Sequence, residues 1–228
     1  MSVFKTVTRW LFILCLPVFL ITASIAIAVN TPALYTRGFH RYNITEATGL
    51  DYSQLEKAAA GLRDYFNNGQ EYIDIVVTKD GQPFTLFNQT EVDHLKDVKA
   101  LFRLDYKGAG ATFLYIVAFT LAVLFWWRDR RQLWVAMRNG GILTLLLMAA
   151  LGITILVDFN GFFIEFHLLS FANDFWELNP ATDYLVMMFP EPFWSDATAF
   201  IAAGAAGAAL IIGAIGWWRA RRSSPEDD

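Results

Sequence analysis

The feature that most constrains this chain is a set of four uncharged apolar runs, each close to a bilayer's thickness in length. A hydrocarbon core of about 30 Å needs about 20 residues at a helical rise of 1.5 Å each. The runs are Trp10 to Val29, Ala111 to Trp127 (ended by Arg128), Gly140 to Val157 (stopped by Asp158) and Ala197 to Trp218. All exceed the roughly 10–14 residues at which a buried core helix is easily mistaken for a span. Composition agrees: 55% of the 228 residues are hydrophobic and 18% charged, against about 45–50% and about 25% in soluble domains. Mean hydropathy is +0.36. These values exclude a disordered or collagen-like chain and argue against a water-soluble one. The expected fold class is an α-helical integral membrane protein with four transmembrane helices. Paired tryptophans, Trp126/Trp127 and Trp217/Trp218, stand at span ends, where amphipathic rings favour the headgroup level.

Basic residues set the expected direction. Lys5 and Arg9 precede the first run; Arg128, Arg130, Arg131 and Arg138 fill the link between the second and third; Arg219, Arg221 and Arg222 follow the fourth. With four spans these segments share one side, and the positive-inside bias makes it the cytoplasm. The expected layout is 1–30 N-terminal tail and first span, 31–110 extracytoplasmic α+β segment, 111–127 second span and 128–139 cytoplasmic basic loop. It continues with 140–157 third span, 158–196 extracytoplasmic aromatic segment, 197–218 fourth span and 219–228 cytoplasmic tail. This describes a multi-pass protein of the cell membrane with both termini cytoplasmic. Lys5, Arg9, the apolar run and Ala26-Ile-Ala28 also have the layout of a signal peptide, although the run is longer than the usual h-region of about 7–15 residues. Cleavage would leave the other spans in the same orientation. A single cysteine, Cys15, excludes an intrachain disulfide. A net charge of −4 gives no basic field for nucleic acid.

Residues 31–110 are too long for a bare loop. Ser53-x-x-Glu56 is a capping-box pattern, followed by Leu55, Ala59, Leu62 and Phe66 at helical spacing before Asn68-Gly69. Ile73, Ile75 and Val77 alternate with polar residues, and Asp80-Gly81 offers a tight turn into Phe84 and Leu86, a hairpin signal. Thr90-x-x-Asp93 is read as a second cap, opening a helix to about Leu104 with Val92, Leu95, Val98 and Phe102 on one stripe. Gly108 and Gly110 are expected to separate it from the second span. In 158–196, Pro180, Pro190 and Pro192 forbid one continuous helix, and Asn179-Pro180 reads as the start of a short one. This aromatic stretch is expected to lie in the membrane interface or outer leaflet, to pack as a lid on the other outer segment, or to do both. Ala199, Ala203 and Gly207 form a small-xxx-small ridge expected to pack within the chain. The tail Ser223 to Asp228 is expected to be disordered.

All three histidines fall in the outer segments. On a helix, His94 has Glu91 and Asp97 at i−3 and i+3, at the edge of the apolar stripe. His167 lies in an aromatic stretch with Ser170, Asn173 and Asp174 following, where an ionisable group is costly without a partner or a role. Two imidazoles on one membrane side, each near an aspartate, suit proton transfer, while the plain alternative is two satisfied polar residues. His40, among Arg37 and Arg41, has no near acid. No His-Glu-x-x-His, Cys-x-x-Cys, P-loop or Gly-x-Ser-x-Gly pattern is present. The histidines with Asp97 and Asp174 match no defined metal spacing. No carboxylate sits within a span to mark ion transport.

The segments around the two histidines, Phe84 to Lys99, Phe166 to Leu185 and Met188-Phe-Pro-Glu191, resemble a family of bacterial four-span membrane proteins that includes Lit, the lipoprotein intramolecular transacylase. The likeness covers nearly the whole chain. It implies an acyltransferase that moves an acyl chain from the glyceryl ester of a lipoprotein's diacylglyceryl-cysteine to the cysteine α-amine. It also implies that His94 and His167 are catalytic, with Glu91, Asp97, Ser170, Asn173 and Asp174 as candidate supporting residues. The expected partners are a diacylglyceryl lipoprotein or lipid substrate and bilayer lipid, with no cofactor, metal or nucleic acid. An ester-to-amide shift suits imidazoles: an α-ammonium of pKa about 7.7–8.0 must lose a proton, and the departing glyceryl oxygen must gain one. Asp97 or Asp174 would then fix an imidazole tautomer. Two other readings remain at this level, a non-catalytic integral membrane scaffold and a phospholipid acyl hydrolase.

Overall fold

The computed structural model describes residues 3–222, so the expectation for the tail 223–228 lies outside the described residues. The chain is mostly helical. In order it forms α1 (Val3–Asn30), α2 (Pro32–Arg41), α3 (Ile44–Thr48), α4 (Tyr52–Asn67), β1 (Val76–Lys79), β2 (Gln82–Thr85), α5 (Gln89–Leu121), α6 (Arg130–Ser170), α7 (Tyr184–Met188) and α8 (Glu191–Arg222). After Leu121, α5 widens into a π-helical segment over Ala122–Trp127. Four of these helices are long and apolar enough to cross a membrane: α1, α5 with its extension, α6 and α8.

Several boundaries differ from the sequence expectation. Gly108 and Gly110 do not end a helix; α5 runs through both from Gln89 to Leu121. A glycine costs only about 1 kcal/mol in a helix, which the flanking hydrogen bonds absorb. Asp158 does not stop the third helix either but breaks it locally, with φ −157° and ψ 83° inside α6. Its Oδ1 accepts a hydrogen bond from Gly161 N at 2.8 Å and so restarts the helix. The short helix before Pro190 begins at Tyr184 behind Asp183 rather than at Pro180.

The chain divides into two compact units. The first holds residues 3–26, 105–156 and 199–222. Its core is formed by Phe12, Leu16, Phe119, Val123, Leu133 and Ala209, with the Phe12 and Phe119 rings 4.9 Å apart. Because α1 supplies several of these side chains, removing it would open the core. Tyr115 donates to Thr8 O at 2.8 Å and Gln132 Nε2 to Lys5 O at 2.8 Å, tying α1 to α5 and α6. On α8, the packed face is Ala205, Ala209, Gly213 and Gly216. A Cβ on Gly141 of α6 would lie 2.8 Å from Ala209 O and Gly213 Cα. The ridge expected to pack, Ala199, Ala203 and Gly207, is instead turned away: Ala199 and Ala203 are exposed and nothing lies within 4 Å of a Cβ on Gly207. Both stripes are small enough for close approach; the register of α8 against α6 selects between them.

The second unit holds residues 27–104 and 157–198. The hairpin pairs Val77 with Phe84 and turns at Asp80 (φ 52°) and Gly81 (φ 76°), the pair of positive φ angles that a two-residue hairpin turn requires. Its inward Val77 belongs to one buried core with Leu55 and Leu62 of α4, Leu95 of α5, Phe39 of α2 and Met188 of α7. The cap of α4 is Asp51, not Ser53, which lies inside the helix. Helix α2 starts behind Thr31 with Pro32 in its first turn and buries Tyr35 and Phe39, and α3, five residues long, ends at Gly49 (φ 69°).

Candidate active site

The start of α5 fixes the first histidine. Asn88, rather than Thr90, caps it: Asn88 Oδ1 accepts from Glu91 N at 3.1 Å while Glu91 Oε2 accepts from Asn88 N at 2.7 Å. This is a reciprocal capping box spelled Asn-Gln-Thr-Glu. Glu91 is only 1% exposed, and its other oxygen accepts from Leu185 N at 2.6 Å, in the first turn of α7. Burial raises the Glu91 carboxyl above its ordinary range, against the two backbone N–H groups that favour its charged form. Glu91 therefore fastens α7 to α5 instead of partnering His94. The turn before α7 is held similarly, with Asp183 Oδ1 accepting from Asn88 Nδ2 at 3.0 Å.

His94 is one turn further along α5 and His167 lies near the C-terminal end of α6. The two rings meet with centroids 6.1 Å apart and planes 29° from parallel. Both side chains are buried, 7% and 8% exposed. Their walls are aromatic: Phe171 is 5.1 Å from His94 and 5.6 Å from His167. Trp176 and Phe163 sit 5.0 Å and 4.2 Å from His167. These rings come from the expected aromatic segment, but which of its aromatics would line the site was not visible from spacing.

The two imidazoles are held differently. His167 Nδ1 lies 2.7 Å from the carbonyl of Phe163, one turn earlier on α6. A carbonyl only accepts, so Nδ1 carries the proton and Nε2 keeps its lone pair. In His94, Nδ1 is buried with no hydrogen-bond partner. Burial pushes the His94 pKa down to about 4, helped by the neighbouring His167 and opposed by the Asp97 charge. Burial likewise lowers the His167 pKa, opposed by its bond to Phe163 O. Both rings are neutral near pH 7.

The expected supporting residues separate into three groups. Asp97 and Asn173 come together, Asn173 Nδ2 donating to Asp97 Oδ2 at 2.8 Å. Asn173 Oδ1 in turn accepts from Phe175 N at 3.1 Å. Asp97 thus braces the segment after α6 and makes no hydrogen bond to an imidazole. Asp174 is exposed and Ser170 half-buried, and neither side chain bonds to a histidine; the role of fixing a tautomer, expected of Asp97 or Asp174, is filled by the Phe163 carbonyl. His40 stacks at 4.1 Å on Tyr52, exposed and apart from this pair. Among the described residues, no group of three or more His, Cys, Asp or Glu is placed to hold a metal ion.

No curated protein sequence matches this chain significantly. The solved structure of the membrane integral lipoprotein intramolecular transacylase Lit from Bacillus cereus is similar in fold. Its TM-score is 0.84 at 19% identity, over 98% of this chain and 100% of that one. Two structures of the same Bacillus cereus protein, with one histidine replaced by arginine or by alanine, match at TM-score 0.75. Their identities are 18% and 19%, over 96% of this chain and 93% and 96% of theirs. The sequence profile of the lipoprotein intramolecular transacylase Lit family matches residues 10–194, and on that match the four-span chain described above belongs to the Lit family.

Proposed function

We propose that this chain transfers an acyl chain within a diacylglyceryl lipoprotein, from the glyceryl ester to the α-amine of the N-terminal cysteine, with His167 as general base and His94 as donor. The observation that carries this reading is the pair of neutral, stacked imidazoles at 6.1 Å, whose environments set opposite tautomers. His167 presents the Nε2 lone pair. For His94, a buried acceptor without a partner is more easily tolerated than a buried N–H without one, so the proton belongs on Nε2.

The chemistry then balances. The free amine attacks the ester carbonyl, forming the C–N bond and an oxyanion. His94 Nε2–H faces the developing negative charge. The nitrogen of the adduct, now cationic and acidic, gives its proton to His167 Nε2. The C–O bond breaks and the glyceryl oxygen takes its proton from the His167 imidazolium, while His94 stays neutral as the hydrogen-bond donor to the oxyanion. The product is an amide and a free hydroxyl, with no net proton change. Both reacting groups belong to one substrate molecule, so the protein's contribution is positioning and proton handling. Leu168 and Leu169, 56% and 85% exposed next to His167, offer an apolar rim for the acyl chains. The run of basic residues at the other ends of the helices supports an extracytoplasmic site and cytoplasmic termini.

The test is expression in a bacterium that makes diacylated lipoproteins, followed by mass spectrometry of the N-terminal tryptic lipopeptide. The expected product carries one acyl chain on the cysteine nitrogen and a lyso-glyceryl thioether. His94→Ala and His167→Ala should abolish it with the protein still in the membrane. An unchanged lipopeptide with wild-type protein overturns the reading; released fatty acid from phospholipid would identify a hydrolase, and full function of both variants a non-catalytic scaffold.

A further inference from the structure

Within the helical unit of residues 3–26, 105–156 and 199–222 there is a groove of about 330 Å³, in the size range of small-molecule sites, about 300–1,000 Å³. Its walls are almost wholly apolar: Phe12 of α1, Thr120 of α5, Leu124 of the π-helical extension, Trp134 and Met137 of α6, and Ile212 of α8. Thr120 is no exception, because its hydroxyl is spent on Ile116 O at 2.7 Å. A dry groove on membrane helices takes a hydrocarbon chain. What selects among lipids is the charge placed beyond its end.

Each helix that lines the groove carries a cation further along toward the same end. On α1, Arg9 is one turn before Phe12. On α6, Arg130 is one turn before Trp134, and on α8, Arg219 is two turns beyond Ile212. Residues three, four and seven apart share a helix face, so these cations continue the stripes that form the groove walls. Arg128 follows the π-helical extension in a left-handed conformation (φ 52°). These ends converge: Phe4 lies 5.9 Å from Trp127, and the Arg219 guanidinium lies 5.8 Å from the ring of Trp134, itself a wall of the groove.

We propose that this groove holds one acyl chain of a bound anionic phospholipid, whose phosphate is met by the arginines at its end, Arg130 and Arg219 foremost. Guanidinium groups suit phosphate because they offer paired, planar donors. Trp134 covers the acyl chain while stacking with the cation that meets the headgroup. The site is separate from the histidine pair and does not depend on the acyl-transfer reading.

The experiment is native mass spectrometry of the detergent-purified full chain, titrated with phosphatidylglycerol and phosphatidylcholine of identical acyl chains. One phosphatidylglycerol should be retained in preference to phosphatidylcholine. Arg130→Gln and Arg219→Gln should each weaken phosphatidylglycerol by about fivefold, the effect of one basic residue near an anionic lipid surface, without weakening phosphatidylcholine. Thr120→Phe, which fills the groove, should weaken retention of both lipids. Equal retention of the two lipids by the wild-type protein overturns the proposal and needs no variant to fold. Retention unchanged by Thr120→Phe overturns it as well.

Discussion

Asn173 and Asp97, far apart in the chain, are joined by a 2.8 Å hydrogen bond from the amide to the carboxylate. Asp97 lies one turn beyond His94 on α5, and Asn173 directly follows the stretch that carries His167 and Phe171. The bond therefore sets how the aromatic segment closes over His94. A hydrogen bond to a charged group contributes about 1.5–3 kcal/mol. Asn173→Ala should lower the rate of lipopeptide conversion by about ten- to a hundredfold and the melting temperature by only a few degrees, since the bond is partly exposed. Single-turnover conversion of a diacyl lipopeptide, read beside a thermal melt, separates the two effects. Asn173→Asp should be worse than Asn173→Ala, because it sets two carboxylates against each other.

Glu91 is expected to be structural. Its two oxygens accept from Asn88 N and Leu185 N in a site closed to water. Glu91→Ala strands both donors, and each buried unpaired group costs about 1–3 kcal/mol. The melting temperature should fall sharply, and Glu91→Gln, which keeps an acceptor, should recover part of it. A melt unchanged in Glu91→Ala would show that α7 is held by its apolar contacts alone.

Acid should remove the His94 contribution to stability in a defined window. The His94 pKa falls from 6.5 to about 4 on folding, so between these values the unfolded chain binds the extra proton. That contribution is then full above about pH 6.5 and declines as pH drops, with the loss complete below about 4. The size for His94 alone is on the order of 3 kcal/mol, and His167, lowered in the same direction, adds to it. The raised carboxyls of Asp105 and Glu91 act in the opposite sense over the same range, so the His94 contribution is the difference between the melting temperatures of wild type and His94→Asn followed from pH 7 to pH 4. An equal slope in the variant would place the titrating group elsewhere.

The activity profile has a different origin. With both imidazoles already neutral at pH 7, the group that limits the rate there is the substrate's α-amine, at about 7.7–8.0. Conversion should rise with pH through that range and level off above it. His167→Gln should lower the plateau without moving this limb. A limb that shifted with the substitution would mean that His167 itself is the group being titrated.

Close packing in the helical unit is tested at Gly141. A side chain there meets Ala209 O and Gly213 Cα at 2.8 Å, both backbone atoms of α8 that cannot rotate aside. Gly141→Leu should cost at least the roughly 1–3 kcal/mol of an overpacked core, seen as a lower melting temperature in detergent. Gly207→Leu, with nothing within 4 Å, should be neutral, although both glycines lie in apolar helices.

Sequence alone determined the four membrane-crossing helices, the α+β insertion and the candidate status of two histidines. Apolar length, a Asp80-Gly81 turn and an imidazole in an aromatic stretch are local properties, written in consecutive residues. Even the reciprocal cap of α5 is a local pattern, because Asn88 and Glu91 stand three apart in sequence. The His167 tautomer was also within reach, since Phe163 is one helical turn away. Tertiary structure alone decided that the rings of His94 and His167 stack, that Glu91 reaches Leu185, and that Asp97 serves Asn173 rather than an imidazole. It also decided which face of α8 packs. Those outcomes depend on how segments distant in the chain are brought into register, and a carboxylate or a small residue has the same local pattern whichever neighbour it meets.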